Sequence, residues 1–103
     1  MASAIAIVLY PPPTDPAAFE QVYQEEHVAL AQRIPHLARF VQIQVLGSPG
    51  GPAPYFRVAE LHFPSLELLQ TALGTPEAQA AVAHAMQIST GGPPVILLAQ
   101  QSD

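Results

Sequence analysis

The chain has 103 residues, half of them hydrophobic and only 11% charged, with a formal net charge of −5. It has no lysine, and its three arginines, Arg33, Arg39 and Arg57, are too few to neutralise a nucleic-acid backbone or to dock on an anionic membrane. The absence of cysteine excludes disulfides, thiol chemistry and thiolate metal sites, and fits a reducing, cytoplasmic location.

The length suits a single domain over residues 1–103. The apolar run at residues 4–9 has no basic leader and leads straight into prolines, so it reads as a strand rather than a signal segment. A first strand is predicted at residues 4–10, ended by Pro11, Pro12 and Pro13, which donate nothing to a sheet ladder. Thr14 or Asp15 can cap a helix that has Pro16 at its first position and runs to about Arg33, before Pro35. Phe19, Val22, Tyr23, Leu30 and Ile34 recur on one face of that helix, and His27 falls on the same face.

A second strand is predicted at residues 38–46 and a third at residues 55–63, with a glycine- and proline-rich loop between them. Ser65 caps a helix carrying Leu66, Leu69 and Leu73, which Gly74 ends. Thr75, Pro76 and Glu77 start another, alanine-rich helix that fades near Ile88. A last strand is predicted at residues 95–100.

This order, β-α-β-β-α-β with a divided second helical region, is the α+β, ferredoxin-like arrangement: a four-stranded antiparallel sheet with helices on one face. Ile5, Ile7 and Leu9 then face one way and Ala6, Val8 and Tyr10 the other, so both sides of the first strand are apolar. Helices cover one side only. The other is expected to pack on a second copy, giving a homodimer in the form of a dimeric α/β barrel.

Several residues carry candidate chemistry. His27 titrates near neutrality and can act as a general base or acid in a pocket; the competing reading is a core histidine bonded to a backbone carbonyl. Tyr23, one turn earlier, can orient or protonate a substrate oxygen, or be a core residue. Glu60 and His62 share a strand face and could form an acid–base pair, although roughly 7 Å between same-face neighbours is long for direct contact, which favours a polar interface strip. Arg57 lies on the opposite face, where a surface or inter-subunit ion pair outweighs substrate binding. His84 can join His27 in a two-histidine site, with no clear third ligand for a metal; His36 reads as a solvated turn residue. No dinucleotide, P-loop or serine-nucleophile motif is present, so no cofactor is expected.

The order of elements, together with the helix pattern Phe19, Tyr23, His27, Leu30 and the block from Ala59 through Pro64 to Gly74, Thr75 and Pro76, resembles the EthD family over nearly the whole chain. The resemblance implies a dimer with a hydrophobic pocket between sheet and helices. It also implies kinship with cofactor-independent monooxygenases, isomerases and cyclases acting on small aromatic or cyclic molecules. The expected catalytic residues are His27, Tyr23 and His84, and the expected substrate-binding ones Tyr10, His62 and Glu60. The chain departs from the family where an aspartate, an asparagine and a phenylalanine usually stand: here these are His84, Gln87 and Ile88. The function expected is proton chemistry of the oxygenase, isomerase or cyclase type on a small hydrophobic ligand. The alternative is a non-catalytic dimer that binds or sequesters such a ligand.

Overall fold

Local chemistry punctuates the chain where the side chains require it. Asp15, Ser65 and Thr75 each accept a hydrogen bond from the backbone N–H three residues on, closing the starts of three helices. Pro16 and Pro76 occupy first helical positions, where the missing N–H costs nothing. The computed structural model describes residues 3–102. Its elements are β1 (Ala4–Tyr10), α1 (Pro16–Val22), a π-helical turn (Tyr23–His27), α2 (Val28–Gln32), β2 (Arg39–Gln44), β3 (Arg57–Phe63), α3 (Leu66–Leu73), α4 (Pro76–Ile88) and β4 (Val95–Gln100).

The four strands form one antiparallel sheet in the order β2-β3-β1-β4, with the helices on one face. This is the ferredoxin-like fold. The β2–β3 ladder is shorter than residues 38–46 and 55–63 would allow. Its last link is Val45 N–H to the Phe56 carbonyl, beyond which the glycines and prolines end the pairing.

Side chains alternate across the sheet. Ala4, Ala6, Val8 and Tyr10 of β1 face the helices with Ala59, Leu61 and Phe63 of β3. Ala78, Ala81 and Ala85 of α4 are buried, and their small side chains let that helix approach closely. A second cluster, built on Tyr10, Phe19 and Tyr23, sits at the Tyr10 end of β1. The other sheet face carries Ile5, Ile7 and Leu9 beside Val58, Leu97 and Val95, and among the described residues no helix covers it. Leu97 is 49% exposed there.

One close approach ties the ends of the fold. A Cβ built on Gly91 would run into the Pro12 carbonyl oxygen, a backbone atom with little room to yield. Gly91→Ala is therefore expected to destabilise the protein by about 1–3 kcal/mol, the usual range for overpacking. A lower urea midpoint with an unchanged slope is the expected reading; an unchanged midpoint would show that the 91–94 loop swings away freely.

Candidate active site

An α-helix turns about 400° in four residues, so a stripe of residues spaced by four drifts about 40° per step. Phe19, Tyr23, His27 and Ala31 are spaced by four, yet all are buried, at 4%, 0%, 5% and 2% exposure. The π-helical turn explains this. Val28 N–H reaches back five residues to the Tyr23 carbonyl, and this wider turn takes up the drift. The expected continuous helix is thus interrupted, and the interruption aims Tyr23 and His27 at the sheet together.

His27 lies between two partners. Its Nε2 is 3.2 Å from the Tyr10 hydroxyl, and its Nδ1 is 2.9 Å from Nδ1 of His84. The two imidazoles stack, with centroids 5.2 Å apart and planes 11° from parallel. A hydrogen bond between two ring nitrogens needs one N–H and one bare lone pair, so the contact requires a neutral ring. Burial, aided by the neighbouring His84, pushes His27 down to about 4. It is therefore neutral at neutral pH and able to pass or accept a proton. Burial pushes the Tyr10 phenol well above its ordinary value, with Tyr23 adding to the effect. It pushes Tyr23 up to about 12 against the opposing pull of Arg57.

Beneath this row lies a partly buried ion pair, with Arg57 buried and Glu20 28% exposed. Arg57 donates from Nε and Nη2 to the two carboxylate oxygens of Glu20, at 2.7 and 2.6 Å. Its guanidinium carbon lies 4.8 Å from the centroid of the Tyr23 ring. The Tyr23 hydroxyl is buried with no hydrogen-bond partner among the described residues.

Two cavities meet at the histidines. An inner, mainly apolar one of about 50 Å³ is lined by Val8, Tyr10, His27, Leu61, Ala85 and Ile96 among others. An outer cleft of about 340 Å³, between α1 and the end of α4, is lined by Phe19, Glu26, His84, Gln87 and Ile88 among others. His27 lines the first and His84 the second.

The structure thus brings together four of the residues singled out in the sequence: Tyr10, Tyr23, His27 and His84. It keeps Glu60 and His62 apart from them. Glu60 pairs with Ile7 and His62 with Ile5, so both lie on the uncovered sheet face, and a substrate-binding role in this pocket does not fit them. They do touch each other: His62 Nε2 is 2.9 Å from Glu60 Oε1, because both side chains are long enough to lean along the strand and close the gap expected between their stems. Arg57 is a correction of a different kind. It is 5% exposed and paired within its own chain, not at the surface or across subunits. No local spacing signals a partner 37 residues away. Among the described residues, no group of three or more histidines and carboxylates is placed to hold a metal ion, and no helix is long and apolar enough to cross a membrane.

Residues 11–87 match the model of a family described as the EthD domain. A Rhodococcus erythropolis protein, described as an uncharacterized 11.0 kDa protein in the thcB-thcC intergenic region, is 35% identical over 85 residues, covering 82% of each chain. The crystal structure of an EthD family protein from Bacillus halodurans superposes with a TM-score of 0.91 at 28% identity, covering 97% of this chain and 99% of that one. A likeness of fold alone extends to SnoaB, a cofactor-independent oxygenase from Streptomyces nogalater, at TM-score 0.61 and 13% identity, covering 99% of this chain and 92% of that one.

Proposed function

Because the chain belongs to the EthD family, we propose that it performs proton transfer on a small hydrophobic, cyclic or aromatic molecule, with His27 as the general base and acid. The observation that carries this reading is a neutral, buried imidazole at the wall of an apolar cavity, hydrogen-bonded on both nitrogens. Tyr10, whose hydroxyl lies against His27 Nε2 and which lines the cavity, passes the proton between ligand and His27. The reaction classes such a site serves are isomerisation, cyclisation, and oxygenation in which an electron-rich substrate itself activates oxygen. The oxygenase SnoaB shares the fold and supports the last of these as a class.

Size limits how the ligand sits. A cavity of about 50 Å³ holds only a few water-sized groups, so the reacting end alone enters it. The rest of the molecule would lie along β4, where Ile96 and Leu98 face the helices yet are 39% and 53% exposed. A second copy would complete the assembly, packing on the uncovered aliphatic sheet face as a homodimer and so forming the dimeric α/β barrel. The reducing cytoplasm suits a chain without cysteine.

The test is hydrogen–deuterium exchange at the α-carbon of a small cyclic ketone in heavy water. The protein is expected to accelerate it, and His27→Phe to lose roughly 10²–10⁴ of the acceleration while still binding the ketone. Binding without acceleration in the unaltered protein would instead establish the sequestering role, which the small cavity and its aliphatic walls favour. Native mass spectrometry of the same sample reads the dimer directly; a stable monomer would overturn the packing of the open face.

A further inference from the structure

Tyr10, His27 and His84 form an unbroken row of hydrogen bonds between two separate cavities. Tyr10 and His27 line the inner one, which is apolar and flanked by α2 and α4. His84 is half-buried and lines the outer cleft, with Glu26 beside it. The distances along the row are 3.2 Å and 2.9 Å. The groups facing His27 are Tyr10 from β1, Tyr23 on its own helical turn and His84 from α4. None of these is a carboxylate, so no fixed charge traps a proton on the middle ring.

We propose that His84 is a relay residue: Tyr10, His27 and His84 are a proton wire that connects the inner cavity to the outer cleft. In one state the Tyr10 hydroxyl donates to His27 Nε2, and His27 Nδ1–H donates to His84 Nδ1. When a group in the inner cavity gives a proton to the Tyr10 oxygen, the phenolic proton moves to His27 Nε2. The proton on His27 Nδ1 moves to His84 Nδ1, and His84 releases the proton of its Nε2 to the cleft. One proton has crossed, every ring remains neutral, and no electrons are exchanged. The row now points the other way. His84 Nδ1–H donates to His27, His27 Nε2–H donates to Tyr10, and the Tyr10 hydroxyl is free to donate into the cavity.

The wire therefore alternates between taking a proton out and putting one back, which is the pair of steps an isomerisation or keto–enol shift requires. It also accounts for a histidine at position 84. A carboxylate there would hold its proton at a much lower pH and would stabilise a charged His27, stopping the alternation. His84 acts through His27 and does not reach the inner cavity itself.

The proposal rests on proton chemistry at His27, but its test needs no ligand, so its failure leaves the ketone experiment standing. In protein carrying ¹⁵N-labelled histidine, NMR at neutral pH is expected to show scalar coupling across the N–H···N bond between His27 and His84. The same spectra follow exchange of the Tyr10 hydroxyl proton with water. His84→Phe keeps a ring in place and removes both nitrogens. It is expected to slow that exchange roughly a hundredfold, the lower end of what a positioned acid–base group contributes. A merely structural His84 would leave exchange unchanged or speed it by loosening the packing, and either result overturns the wire. Absence of the coupling in the unaltered protein overturns it as well, whether or not the variant folds.

Discussion

Glu20→Ala is expected to destabilise the fold by about 1–3 kcal/mol, the cost of leaving the buried Arg57 without its partner while Glu20 itself is 28% exposed. Arg57 is 5% exposed and gives two short hydrogen bonds to the Glu20 carboxylate. Without that carboxylate the guanidinium keeps its full desolvation penalty and retains only the face of Tyr23. The double variant Glu20→Ala with Arg57→Met removes the charge along with its partner and leaves an apolar chain of similar length. It should recover much of the loss, because replacing both members of a buried pair is often neutral or better. Urea unfolding of the two single variants and the double variant reads the coupling directly. Additive losses would show that the pair is solvated in practice. The damage should also reach the site, since Arg57 and Phe19 hold Tyr23 from two sides.

The second large effect is on acid stability. His27 has a folded value of about 4 against an ordinary 6.5. Its folded value is lowered, so between these pH values the unfolded chain binds more protons than the native one. The contribution of a neutral, buried His27 is complete above about pH 6.5, declines as the pH falls towards about 4, and is then exhausted. The gap corresponds to about 3 kcal/mol. His27→Gln keeps a polar side chain of similar reach but does not titrate. Stability curves of the two proteins are therefore expected to run parallel above about pH 6.5 and to diverge below it, with the unaltered protein losing more. The two proteins differ at one residue, so the divergence reports on His27 together with its hydrogen bond to His84. Parallel curves throughout would mean that His27 is charged in the native state or solvated by opening of the site.

These two effects come from neighbouring parts of one aromatic cluster. Tyr23 stacks on Phe19, lies under Arg57 and tilts against His27. The ion pair thus sets the position of the helical turn on which His27 sits. A loosening of Glu20 and Arg57 is felt at the relay row without any change in the row itself.

Much of this protein was legible in its residues. Capping side chains and prolines define helix starts through local hydrogen bonds, so Asp15, Ser65 and Thr75 mark them without reference to the rest of the chain. Alternation in β1 separates Ile5, Ile7 and Leu9 from Ala6, Val8 and Tyr10, and with the element order it determines the ferredoxin-like sheet and its uncovered face. The helix pattern around Tyr23 and His27 marks the side of the helix that faces the sheet and the candidate site.

What only the tertiary structure decided is everything that depends on chain segments meeting at a distance. The π-helical turn follows from the need to keep four residues in line against a flat sheet, a demand the helix does not face by itself. Glu20 meets Arg57, and His27 meets both Tyr10 and His84, across separations of 17 to 57 residues that no local periodicity encodes. Glu60 and His62 look like a catalytic pair along the strand, but the register places them on the face away from His27. Residue spacing determines which side of an element a group occupies; packing determines what stands opposite it, and the candidate site is made of those opposing pairs.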